Sequence, residues 1–401
     1  MIRVDLGSIA PGARLAKPIY NDRGAVWLKA GTELTERYLN ILRGRGIGAV
    51  FVEEHQTGDV LVREALTEET RGETTAAISD TLTELAPAID SSRANGLGEL
   101  VAWLGSRDGR NTLRDAMAPR RIQNAAMRLV SDVLSANYSA AIISPKGRDN
   151  YVLSHAVDVA TTAVTIGKLL NLPRHALLCL ARGCLLMDIG LAFIDPAILN
   201  KPAPLTADER ATIQAHPRMG YELLRAMQPA EILVNTIALQ HHERQDGQGY
   251  PRSLRGNNRI HLSAFDRDRG DIVLLAEIAA VADVYDALSS NRPQRPALPP
   301  DQVVATLRRI AGTHLNRAIV EEFLRNVPVY NVGLAVHVYG HGFGPYRGVV
   351  VRVHPRRLDR PVVRVFQNVR GRSVQPFEVD LAAAEHITIR SAPAEQVASV
   401  A

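Results

Sequence analysis

The eleven residues His241-His242-Glu243-Arg244-Gln245-Asp246-Gly247-Gln248-Gly249-Tyr250-Pro251 bring together two adjacent imidazoles, two carboxylates and a glycine-rich turn. Neutral imidazole and carboxylate are the donors that first-row divalent metals take. An apolar run over residues 232–239 precedes the pair, which would set both rings at the rim of a packed core. The chain has only 12 histidines in 401 residues, so composition alone does not assemble such a string. Further donors flank it in order: His155, then Asp188 in Met187-Asp188-Ile189-Gly190-Leu191, His216 before Pro217, and Asp283 three residues before Asp286.

Helices must position these groups. His155 lies in a helical pattern, where Asp158 and Thr162 share a face one turn apart. Asp188 follows a strongly apolar helical stretch over 176–187 and precedes Gly190, so its carboxylate should emerge where helix becomes loop. Thr206 with Glu209 reads as a capping box opening the segment that leads to His216. Asp283 and Asp286 share one helix face. Residues 149–328 thus read as an all-helical core domain. Residues 55–148 read as polar amphipathic helices with apolar faces over 76–89 and 122–134, suited to a bundle or a homodimer interface. Residues 1–54 read as a small α+β module, with strands at 12–16, 25–29 and 49–52, a turn at 21–24 and a helix after Thr35. Residues 329–401 switch to period-two alternation, with strands at 332–339, 348–353 and 361–366 forming a small β domain. The fold class is mostly α.

The chain carries a formal charge of +5 and a pI of about 9.3. Its lysines number five, and no dense basic run interleaves with aromatics, so a nucleic-acid polymer is not an expected partner. Cys179 and Cys184 lie in a helical apolar pattern without metal-binding or disulfide spacing. No apolar run reads as transmembrane and residues 1–5 lack a signal-peptide core, so a cytoplasmic protein without a membrane partner is expected.

The motif order over residues 149–295 resembles the HD-GYP family, the branch of the HD superfamily that hydrolyses cyclic di-GMP. The resemblance implies a divalent metal cofactor of one or two ions, Fe or Mn with Mg as a further candidate. Its ligands would be His155, Asp188, His216, His241, His242 and Asp283. It implies that Asp188 bridges two ions, with His155 and Asp283 serving one and His216 and His241 the other, His242 beside them. Glu243 and Asp246 join Asp188 as candidate catalytic residues, the first two as acceptors for ligand imidazoles, as is Asp286. Arg292 and Arg295 match the family's phosphate-binding end, although loop arginines are also commonly solvated. Gly247, Gly249, Tyr250 and Pro251 read equally as a tight turn or as a loop for substrate or for a partner such as a GGDEF-type cyclase.

Two departures bear on activity. The His of the family's His-Asp doublet is Met187 here, a soft thioether poorly suited to Mn, Fe(II) or Mg. The lysine that follows in the family pattern is Leu191. If each change removes a few kcal/mol of transition-state stabilisation, the loss is on the order of a thousandfold or more. In addition, Tyr151 stands where some members have a Glu, and the stretch from His242 to Asp283 is longer than usual, with the surplus at 264–271. Three functions therefore stand at this point: an impaired cyclic di-GMP phosphodiesterase, a non-hydrolysing receptor or interaction module, and a hydrolase of another phosphoester.

Overall fold

A computed structural model describes residues 1–21, 25–45, 47–54, 57–60, 62–92, 97–114, 118–136, 151–201, 203–261, 271–291, 297–340, 343–368 and 370–391. Strands β1 (Ile2–Asp5), β2 (Ile19–Tyr20), β3 (Val26–Leu28) and β4 (Ala49–Val52), with helix α1 (Glu36–Gly44), build the N-terminal module. β1 pairs antiparallel with β4 from Ile2↔Val52 to Asp5↔Ala49, and β2 pairs with β3. Thr35 caps α1 by accepting from the Tyr38 N–H. Residues 12–16, read from sequence as a strand, instead make isolated bridges, Arg14 to Glu33 and Leu15 to Val52. The expected turn at 21–24 lies, apart from Asn21, outside the described residues.

The helical body comprises α2 (Glu68–Ser92), α3 (Leu97–Gly105), α4 (Arg107–Arg114), α5 (Ala118–Ser135), α6 (Tyr151–Leu169), α7 (Arg174–Leu186), α8 (Pro196–Leu199), α9 (Ala207–Gln214), α10 (His216–Met227), α11 (Ile232–Gln240), α12 (Leu274–Ser289), α13 (Pro300–Ile310) and α14 (Arg317–Asn326). α6 is its axis: residues 155–167 are buried on every side, as a helix enclosed by others must be. Its threonines satisfy their hydroxyls within the helix, Thr161 donating to the Val157 carbonyl, Thr162 to Asp158 and Thr165 to Thr161. One core runs from Leu66 to Val327, so α2 and α5 pack into the same interior as α6 and α12. The stretch Arg174–Phe193 is, against the sequence reading, long and apolar enough to cross a membrane, but more than half of it is buried here as core.

Several local devices set this packing. The Lys168 ammonium, on α6, donates to the Val133, Leu134 and Ala136 carbonyls at the end of α5 (3.0, 3.1 and 2.8 Å), where a helix leaves acceptors unpaired. Thr206 and Glu209 form the anticipated capping box of α9. Beyond α7 the chain turns through a 3-10 segment, Ile189–Phe193, that lies directly on α10. A Cβ at Gly190 would sit 2.1 Å from the His216 carbonyl oxygen and 2.7 Å from the Gly220 nitrogen, so only glycine allows that approach.

Strands β5 (Ala335–Gly340), β6 (Phe343–His354), β7 (Arg357–Asn368), β8 (Ser373–Asp380) and β9 (Ile387–Ser391) form an antiparallel sheet in the order β8-β7-β6-β5-β9. The sequence reading missed β8 and β9. Val349 and, partly, Val351 and Phe366 pack into the core of the N-terminal module. The Arg3 N–H donates to the Gly333 carbonyl at 2.8 Å, and Arg364 forks onto Asp59 at 2.6 and 2.8 Å. The two small modules therefore share an interface.

Lys168→Met should lower stability by about 1–3 kcal/mol, because three carbonyls lose a charged donor, and urea or thermal unfolding reads this directly. Gly190→Ala should cost about 1–3 kcal/mol by forcing backbone apart, with the same measurement as its check.

Candidate metal centre

Five elements each contribute to one interior point. α6 brings His155, the turn after α7 brings Asp188, the first residue of α10 is His216, and His241 and His242 follow α11. α12 carries Asp283 and, one turn on, Asp286. His155, His216 and His241 are 5%, 2% and 1% exposed, so water does not satisfy their rings. The helix-to-turn change after α7 is what frees Asp188 to enter this point, as its position before Gly190 suggested.

Asp188 divides its two oxygens. Oδ1 lies 3.3 Å from His216 Nε2 and 3.6 Å from His241 Nε2, whereas Oδ2 lies 3.5 Å from His155 Nε2. The same His155 nitrogen is 3.2 Å from Asp283 Oδ1. Donor atoms of Asp188, His216, His241 and His242 all fall within 4.8 Å of one another. The six residues that the resemblance marks as ligands thus converge as two donor groups joined at Asp188.

The far side of each ring decides its chemistry. His216 Nδ1 lies 2.7 Å from the Ile213 carbonyl, and His241 Nδ1 lies 2.9 Å from that of Ala238. A carbonyl only accepts, so each Nδ1 carries a proton, and a ring that bears no second proton turns its Nε2 lone pair inward. The two Nε2 atoms stand 3.3 Å apart, both facing Asp188. Two lone pairs and a carboxylate at that spacing repel unless a cation or an added proton lies between them, and nitrogen and oxygen donors suit a divalent metal. The donor set therefore fits the metal that the motif order implies. His155 Nδ1 donates to Asp286 Oδ2 at 2.7 Å, so Asp286 is placed where an acceptor would orient the ring.

Charge is strongly coupled here. Burial opposes a charged His155, yet its hydrogen bonds to Asp188, Asp283 and Asp286 raise its pKa well above the ordinary histidine value. Burial likewise opposes an ionised Asp188, but contacts with His155, His216 and His241 hold it well below the carboxylate range. Burial and then the neighbouring His241 drive His242 well below. The site stabilises its carboxylates only when positive charge accompanies them.

The glycine-rich loop folds over His242. The Tyr250 ring stacks on that imidazole, centroids 4.7 Å apart and planes at 30°, and the Tyr250 N–H donates to the His242 carbonyl. A Cβ at Gly249 would meet the His242 carbonyl oxygen at 2.6 Å, and Gly247 has φ 76°, so both need glycine. Glu243 and Asp246 do not meet the ligand imidazoles, contrary to expectation. Glu243 accepts from the Arg252 and Leu254 N–H groups at 2.7 and 2.8 Å. Asp246 takes a fork from Arg244 and the Gln248 N–H. Both carboxylates tie down the loop, because backbone donors reach Glu243 first and the Arg244 guanidinium, with one backbone N–H, reaches Asp246.

Met187 is 1% exposed within the apolar core, and Leu191 is half-buried against it. Arg292 and Arg295 lie outside the described residues, as does most of the charged surplus at 264–271. The carbonyl anchors of His216 and His241 were missed. Each anchor is three residues before its histidine, a helix-end spacing that could have been read. The buried ion pair between Arg71 and Asp158 was missed as well, and nothing in the spacing of 87 residues signals it.

Residues 128–319 match the HD-domain family. The chain is similar to a cyclic di-GMP phosphodiesterase of Pseudomonas aeruginosa, 31% identical over 274 residues, which covers 66% of this chain and 61% of the relative. It is 42% identical over 141 residues to a cyclic di-GMP phosphodiesterase response regulator of Xanthomonas campestris pv. campestris, covering 35% of this chain and 34% of that one. A 3'3'-cGAMP-specific phosphodiesterase of Vibrio cholerae is 34% identical over 166 residues, 41% of this chain and 33% of that one. The chain thus spans less than two thirds of the length of each of these relatives. Residues 128–319 are thus an HD domain, and the chain is similar there to phosphodiesterases of cyclic dinucleotides, as the converging motif order led one to expect.

Proposed function

We propose that the chain is a metal-dependent phosphodiesterase that hydrolyses cyclic di-GMP, with turnover reduced by Met187 and Leu191. The observation that carries this reading is the division of Asp188, one oxygen toward His216 and His241 and the other toward His155. The relatives named above act on cyclic dinucleotides, and HD-domain phosphodiesterases depend on metal.

In this reading His155, Asp188 and Asp283 would hold one ion, and Asp188, His216, His241 and His242 would hold the other. Fe or Mn suits such imidazole-rich sets, and Mg fits the carboxylates. When bound, the metal supplies an acidified water and neutralises charge on the phosphodiester. The protein's own part is to aim the imidazoles from the Ile213 and Ala238 carbonyls and to hold His155 through Asp286. Tyr250, stacked on His242, offers a flat aromatic face beside the centre on which a base can lie. Arg292 and Arg295 would fork onto phosphate oxygens. Gly247, Tyr250 and Pro251, with Gly249 buried among them, would face the nucleotide or a GGDEF-type cyclase, and the region of 55–148 would supply a homodimer contact.

Met187 favours a second reading, a cyclic di-GMP receptor without turnover. Its buried thioether leaves the His155 half of the centre with one imidazole where the His216 half has three. Action on another phosphoester is the third, and 3'3'-cGAMP is the concrete competitor.

Anaerobic incubation with Fe(II) or Mn(II), followed by chromatography of cyclic di-GMP and 3'3'-cGAMP in separate reactions, separates the three. Linear dinucleotide or GMP above a His241→Ala control, abolished by chelation, is expected from cyclic di-GMP. Intact cyclic di-GMP that still binds would install the receptor reading, and faster loss of 3'3'-cGAMP would reassign the substrate. Met187→His combined with Leu191→Lys should raise both metal content and turnover. Metal analysis and the same chromatography check this, and no gain in either would remove those two positions as the cause of impairment.

A further inference from the structure

All of the metal-centre residues lie between α6 and α12, yet a buried cation from much earlier in the chain stands behind them. Arg71, on α2, places Nη1 at 2.6 Å from Asp158 Oδ1, with side chains only 12% and 0% exposed. Asp158 follows His155 by three residues on α6, so the pair grips the helix one turn from the histidine. On its other flank His155 is tied to Asp286, itself fully buried on α12. The turn of α6 that carries His155 is thus pinned twice, to α2 through Asp158 and to α12 through the imidazole.

We infer that Arg71 is a positioning residue of the metal centre, setting the place of His155 through its ion pair with Asp158. The inference rests on the metal-centre reading proposed above. Arg71 precedes the HD-domain match at 128–319, so the N-terminal region completes the support of a site to which it gives no donor. The attraction of Arg71 extends to Asp286, whose negative charge lies near enough to strengthen its protonated form. Without the guanidinium, Asp158 is a buried carboxylate lacking its cation and must take up a proton or draw water inward. Either response moves the turn, and His155 Nε2 leaves its 3.2 Å approach to Asp283 and 3.5 Å approach to Asp188. α2 is itself held from the far side: Lys17 pairs with Glu64 at 2.6 Å just before it, and the Tyr20 hydroxyl donates to Glu68 at 3.1 Å. A cavity of about 80 Å³ lies at this junction, bounded by Tyr20, Phe51, Glu68, Arg71 and Ser154, the residue before His155. The N-terminal module is therefore in contact with α2, the helix that carries Arg71.

The test is Mn(II) titration of metal-stripped protein, followed by EPR, with steady-state hydrolysis of cyclic di-GMP alongside. Arg71→Met should weaken Mn(II) binding about tenfold, the scale on which supports behind a metal ligand act. It should lower kcat with KM unchanged, and Arg71→Lys should restore part of the affinity. A folded Arg71→Met protein with wild-type Mn(II) affinity would overturn the inference, even if its melting temperature fell. Should Arg71→Met fail to fold, Arg71→Gln, which keeps a donor beside Asp158 but removes the charge, gives the same reading: weakened Mn(II) binding supports positioning, and wild-type binding overturns it. A wild-type chain that takes up no Mn(II) would overturn the metal-centre reading and this inference together, whereas an unchanged variant beside a metal-loaded wild type overturns this inference alone.

Discussion

A carboxylate that turns each of its oxygens toward a different group of imidazoles needs positive charge beside it in a protein interior. Asp188 is in that position, and much of the helical body can be understood as support for it. The carbonyls of Ile213 and Ala238 fix protons on the outer nitrogens of His216 and His241, which leaves the inner lone pairs opposed at 3.3 Å. Lone pairs held facing each other at that spacing favour a cation between them, so affinity would be set by how the rings are oriented as well as by the number of donors. α6, buried on every side, and the close approach at Gly190 are the rigid parts that prevent the rings from swinging away.

Two kinds of support surround the donors, and they differ in reach. The contacts of His216 and His241 are made within three residues and come with the helix ends themselves. The contact of His155 runs through Asp286, 131 residues away, and the pair behind it joins Arg71 to Asp158 across 87. The half of the centre that depends on long-range contacts is also the half where the family resemblance would put a histidine at the position of Met187. Its geometry is accordingly the more sensitive to how the surrounding helices are seated.

Much of the donor set was readable in the amino-acid sequence, because metal ligation restricts side-chain chemistry and the ordered motif is dense in histidine. The capping box at Thr206 and the cap at Thr35 were readable for a similar reason, since each is satisfied locally. Glu243 and Asp246 show where such reading stops: both sit in the richest part of the motif, yet nearby backbone N–H groups and Arg244 claim them. Composition names possible acceptors and does not say which donor arrives first. β8 escaped because Pro376 interrupts it and Val374 is out of phase with Phe377 and Val379, β9 because it alternates over only five residues, and β1 because its partner β4 lies some 50 residues later. The Arg71–Asp158 pair escaped because nothing about either residue in isolation marks it as buried.

The shared interface of the two small modules has an evolutionary side. Val349, Val351 and Phe366 lie in the core of residues 2–52, and Asp59 holds Arg364. The two small modules thus share one packed face, although the second also has a core of its own, and the helical body lies between them in the chain. A recombination event that exchanged one module and kept the other would leave an apolar sheet face against a stranger. Inheritance should therefore tend to pass the two ends together, or lose them together, even as the helical body diverges.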